Sequence, residues 1–180
     1  MRLDKPRVDP LPRSEWDADI ADRLGDNPPN VLKTLANHPK LYKRWAVFAN
    51  HILARNSLPP REREILMLRI GWLAQSEYEF GQHTVIGKDA GLTDEEILAI
   101  TKGADGGWKG LDATLITMAD ELHADAFVTD ETWAALAEHY TTEQMMDAVF
   151  TVGQYNMVSM ALNTLGVQLD EGVPGFPEGA

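Results

Sequence analysis

The stretch LPPREREILMLRIGWLAQSEYEFGQHTVIGKDAG, residues 58–91, decides the fold. Pro59 and Pro60 suit the first turn of a helix, where a missing N–H is no loss. The run Ile65–Ala74 behind them is apolar almost all round, the mark of a helix buried on every side. Gly71 interrupts that run, and Ser76-Glu77-Tyr78-Glu79 reads as a capping box opening a second helix to about Ala90. Gly91 closes it.

Outward from this pair the helical signals continue. Upstream, Leu41, Trp45, Phe48 and Ile52 fall at helical spacing within 39–55. A shorter helix is expected from Ser14 to about Gly25, behind a proline-bearing, extended arm over 1–13. Downstream, Thr93–Glu96 caps a helix ending near Gly103, and 103–110 is a connector without the phosphate-loop spacing. Leu111, Leu115, Met118 and Leu122 mark the next helix, Trp133 and Leu136 a shorter one at about 130–140. Thr141–Gln144 caps a long helix that stops at Gly166, and the tail DEGVPGFPEGA cannot be helical. No segment reads as a strand, so the class is all-α. Leu41, Trp45, Phe48, Ile65, Leu68, Leu115, Met118, Val149 and Val152 are the expected core.

Composition bounds what such a chain does. At 180 residues with 44% hydrophobic and 24% charged side chains it is one globular domain, which buries roughly 70% of its unfolded surface. A net charge of −12 makes nucleic acid and anionic membrane poor partners, though not a small anionic substrate held by local Arg. The uncharged stretch 148–169 is long enough for a bilayer but carries Gln154, Asn156, Ser159, Asn163, Thr164 and Gln168, and reads as a buried helix. With neither a secretory signal nor any cysteine, the expected compartment is the cytoplasm.

The densest chemistry is Ser76, Tyr78, Glu79 and His83. Ser76, Glu79 and His83 share one helix face, and a carboxylate one turn before an imidazole can orient it as a general acid. The structural reading is that Ser76 and Glu79 only cap and His83 only packs. Arg69 interrupts an apolar run and needs either a carboxylate partner or a bound anion. Glu79 and His83 could supply two metal ligands, but no third stands near, so no metal is expected. One internal echo adds to this: Gly81-Gln82-His83 and Gly153-Gln154-Tyr155 lie 72 residues apart, each inside an expected helix. It suggests two related halves, with the glycines marking close helix–helix approach.

LPPREREILMLRIGW, SEYEFGQH and AGLTDEEI together resemble the carboxymuconolactone decarboxylase family, including its alkylhydroperoxidase D branch. The resemblance implies an all-helical bundle with a duplicated core, assembled as homotrimers or hexamers. It divides the single domain into an arm and short helix (1–29), a first half carrying the site (30–103), a second half (108–169) and a tail (170–180). In the peroxidase branch a Glu on the first helix precedes Cys-x-x-Cys and a His four residues on; here these positions hold Glu64, Ser76, Glu79 and His83. Serine and glutamate cannot replace the two redox sulfurs, so thiol peroxidase chemistry is closed to this chain.

The decarboxylase branch, with Tyr78-Glu79-Phe80 before the His, is the closer likeness. The expectation is a cofactor-independent lyase acting on a carboxylated lactone or related carbonyl acid of aromatic-compound catabolism. His83, Glu64 and Glu79 would be catalytic, and Arg69, Tyr78, Ser76 and Trp72 would bind the anionic substrate. The alternatives are a hydratase, hydrolase or isomerase on the same scaffold, or a non-catalytic oligomeric binding protein.

Overall fold

Pro60 opens the helix around which everything else is wrapped. A computed structural model describes residues 1–180, which form nine α-helices and no strand. They are α1 (Ala18–Leu24), α2 (Asn30–Leu35), α3 (Pro39–Asn50), α4 (Pro60–Leu73), α5 (Glu77–Asp89), α6 (Asp94–Thr101), α7 (Gly110–Asp125), α8 (Asp130–Ala137) and α9 (Thr142–Leu165). On α4 every residue from Glu64 to Gly71 is buried, as its all-round apolarity requires. Helices α5, α7 and α9 pack along it and α6 closes a further side. The main core gathers Ile65, Leu68, Phe80, Leu115, Met118 and Val152 around this axis.

The capping signals at Thr93/Glu96 and Thr141/Gln144 both form reciprocal boxes, and Gly166, at φ 72°, ends α9. The expected box at Ser76/Glu79 does not form. Ser76 occupies the N-cap but its side chain makes no capping bond; its N–H donates to the Gly71 carbonyl, and the Glu79 carboxylate turns to His83.

Helix α3 departs from expectation too. Its last turn widens into a π-helical segment, His51–Arg55. Leu41 and Phe48 are exposed and Trp45 is half-buried; Val149, on α9, is also half-buried. The side of α3 that is covered, at Tyr42, packs on Trp16, Ile20 and Ala36 in a small separate cluster.

Both chain ends are strapped across the helices. Arg7 and Val8 donate main-chain N–H groups to the Leu165 carbonyl, and Phe176 sits edge-on to Trp72 and Phe80. A side chain at Gly81 would collide with the Pro174 carbonyl, so that glycine admits the tail, while Gly153 faces open space. The close helix–helix approach expected at both glycines occurs at neither. No helix is long and apolar enough to cross a membrane.

Candidate active site

Glu64 lies in the second turn of α4 and is fully buried; His83 lies mid-way along α5 and is 4% exposed. They meet because the chain reverses after α4. Gln75 takes a positive φ of 52°, and the Ser76 N–H donates to the Gly71 carbonyl. Gly87 then lets α5 come close. A β-carbon there would press on Leu92 and Leu68 and touch Glu64. The result is a 2.6 Å contact between His83 Nδ1 and Glu64 Oε2. One turn earlier on α5, Glu79 Oε1 stands 3.0 Å from His83 Nε2. Arg63 donates from Nε and Nη2 to the other oxygen of Glu64, at 3.1 and 3.0 Å.

Burial alone would push the His83 pKa down, since it disfavours the charged ring. Two carboxylates in contact outweigh it, and the pKa rises from 6.5 to about 9. Burial would likewise raise Glu64, but charged His83 and Arg63 hold it below its usual value. Near neutral pH the group is therefore a chain of alternating charge, Arg63, Glu64, His83, Glu79. Both imidazole nitrogens are protonated and donate to carboxylates. Tyr155 of α9 covers the ring edge-on, centroids 4.7 Å apart and planes at 89°.

Glu79 and His83 stand in the wall of a cavity of about 320 Å³, large enough for a small ring compound. Val31, Leu32, Trp45, Leu53, Ile86 and Val158 supply apolar walls from α2, α3, α5, α9 and the π segment. Asn50, Gln82, Gln154, Tyr42, Tyr78 and Tyr155 supply the neutral polar groups, and no Lys or Arg lines it. The two echoed triplets thus converge: Gln82-His83 and Gln154-Tyr155 share this cavity. Gln154 and Tyr155 were not among the expected site residues, though the echo pointed at them.

Of the seven expected site residues, the structure brings together Glu64, Glu79, His83 and Tyr78. Tyr78 lines the cavity, but its hydroxyl is turned to Asp170 of the tail at 2.6 Å and accepts from the Val31 N–H. Arg69 lies elsewhere. It donates to Asp120 at 2.6 Å and to the Ile100 and Thr101 carbonyls at the end of α6, so it pins α6 and α7 to α4 and is absent from the cavity wall. Trp72 packs on Phe80 and Phe176, away from the cavity. Ser76 is buried with its hydroxyl unpaired and is absent from the wall. No group of three or more His, Asp or Glu side chains is arranged to hold a metal ion.

The fold is that of AhpD-like helical proteins. Over residues 39–115, less than half of its length, the chain matches the family model of the carboxymuconolactone decarboxylase family. Among solved structures it is similar to an uncharacterized peroxidase-related protein with an alkylhydroperoxidase AhpD core from Ralstonia eutropha JMP134, at 18% identity and TM-score 0.80 over 91% of this chain and 93% of that one. It is similar to a protein of unknown function from Agrobacterium tumefaciens, a putative antioxidant defence protein AhpD, at 15% identity and TM-score 0.69 over 76% and 94%. It is also similar to the debrominase Bmp8, solved with tribromopyrrole, at 15% identity and TM-score 0.76 over 93% and 94%. At these identities the likeness speaks to the fold alone. No curated protein matches the sequence significantly.

Proposed function

We propose that this chain is a cofactor-independent enzyme that moves a proton on a small, ring-sized carbonyl compound. The observation that carries the reading is the buried Glu64–His83–Glu79 chain opening into an apolar cavity. Glu79 is the carboxylate in that wall. It takes a proton from carbon beside the carbonyl and returns one, while charged His83 holds its other oxygen in place and Glu64 anchors His83 from behind. Because both nitrogens of His83 are engaged, this reading gives the proton transfer to Glu79, where the expectation from sequence gave it to His83. Because no Lys or Arg lines the cavity, the reading supported best is an isomerase- or hydratase-type reaction on an uncharged ring. Neither this reaction nor a reductive dehalogenation can use a thiol here, since the chain has none.

The family match favours a second reading, a decarboxylase-type lyase of aromatic-compound catabolism. There CO₂ leaves a carboxylated lactone, the conjugated carbonyl takes the electron pair as an enolate, and a proton returns to carbon. Desolvation of the substrate carboxylate by apolar walls would assist that loss. Under both readings we take residues 1–180 as a single domain in the cytoplasm, residues 30–103 supplying Glu64, Glu79 and His83 and residues 108–169 supplying Gln154 and Tyr155. The copies would associate as homotrimers or hexamers.

Solvent deuterium entering the carbon beside the carbonyl of benzofuranone, a ring-sized lactone, tests the proton transfer. Exchange above buffer rate is expected, falling roughly 10²–10⁴-fold in Glu79→Gln. Exchange that is unchanged in the variant, or absent in the wild type, overturns it. Release of CO₂ from a carboxylated lactone would select the second reading.

A further inference from the structure

Six buried side-chain atoms have no hydrogen-bond partner, and only one, Gln154 Oε1, belongs to a residue of the cavity wall. Gln154 is 4% exposed and sits mid-way along α9, held by a helix that spans the core. A serine or threonine hydroxyl can rotate toward a main-chain carbonyl. An amide oxygen can only accept, and no group of the chain donates to this one. Its echo in the first half behaves differently. Gln82 donates to Asp170 at 2.6 Å and is fixed by the tail. Of the two echoed amides, Gln154 is therefore the one left to meet a ligand.

The donor it faces can be described. A carboxylate or phosphate offers no N–H or O–H, and would find Glu79 in the same wall with no Lys or Arg to offset it. An ammonium would find the charge of Glu79 already met by His83, and would be buried without a counter-ion of its own. What remains is an uncharged ring with a polar hydrogen. We propose that Gln154 is the specificity-determining residue of this cavity, and that its amide oxygen accepts a hydrogen bond from the N–H or O–H of an uncharged, ring-sized carbonyl compound of the lactam or enol type. The fate of that compound rests on the acid–base reading above; its binding does not.

The probes are oxindole, a lactam with a ring N–H, and benzofuranone, the same frame with a ring oxygen in its place, each titrated calorimetrically into the full chain. Wild type binds oxindole about tenfold more tightly, the worth of one hydrogen bond to a group otherwise left unpaired. In Gln154→Leu the two bind alike, the melting temperature serving to verify folding. Equal binding by wild type, preference for benzofuranone, binding of neither at millimolar concentration, or a preference that survives in Gln154→Leu would each overturn the assignment. The wild-type comparison stands even if the variant does not fold. Deuterium exchange is read on the same samples: a preference for oxindole without exchange sinks only the proton-transfer reading, and exchange without a preference sinks only the role of Gln154.

Discussion

Burial and charge pull His83 in opposite directions, and the outcome makes a stability prediction. Its pKa is raised from 6.5 to about 9 in the folded chain, so the stabilisation it gives is complete below about pH 6.5 and is lost as pH climbs through about 9. A rise of this size corresponds to about 3 kcal/mol. Glu64, held below its usual 4.5, contributes stability above that value and loses it as pH falls through its depressed pKa. The melting temperature should therefore decline between about pH 6.5 and about pH 9, and Glu64→Gln should flatten that decline. An equal slope in the variant would mean that Glu64 does not hold the charge on His83. Sequence spacing placed Glu79 and His83 on one face, and the family resemblance supplied Glu64. What spacing could not convey is that both nitrogens of one ring would be claimed by carboxylates, which is a fact of packing between helices.

Among the elements, Arg69 decides how α6 and α7 are tied to α4. A guanidinium in an apolar run signalled the need for a partner, and the partner is Asp120 together with two orphan carbonyls of α6. Arg69→Met leaves these acceptors unmatched and should cost about 3 kcal/mol in urea denaturation. Binding of oxindole by the folded fraction should persist; its loss would return Arg69 to the ligand. The carboxylate of Asp170 plays a similar part for the tail, binding Tyr78, Gln82 and the Asn30 N–H at once. Asp170→Ala should raise proteolysis of residues 168–180 and weaken binding in the cavity, and an unchanged digestion pattern would count against the latch. Helix α2 escaped sequence reading because six residues behind Pro28-Pro29 are too short for a periodicity. The change from α to π at His51 escaped for another reason, since 39–55 carries a single continuous period. Helices with caps or all-round apolarity, α4, α6 and α9, were legible because their signals are local.

For the whole molecule, the question is what covers the apolar side chains left outside. The apolar run of α4 is buried from Glu64 to Gly71 within one copy, so it does not argue for association. More than half of the exposed large apolar residues lie on two helices, among them Leu41, Val47 and Phe48 on α3 and Met146, Phe150 and Met160 on α9, with Phe48 and Phe150 meeting edge-on at 6.0 Å. Periodicity told which α3 residues share a face, not that the face would point outward. Light scattering should give a mass that is a multiple of 20.0 kDa, and Phe150→Glu should shift it toward a single copy. A wild-type mass of one copy at micromolar concentration would contradict self-association.

The account as a whole stands on a charged His83 held between two carboxylates. Nitrogen-detected NMR of ¹⁵N-histidine-labelled protein, followed across pH, measures this directly. The account predicts one ring with both nitrogens protonated through neutral pH, titrating only near pH 9. A His83 ring that is neutral at pH 7, or that titrates at or below its ordinary 6.5, would contradict it.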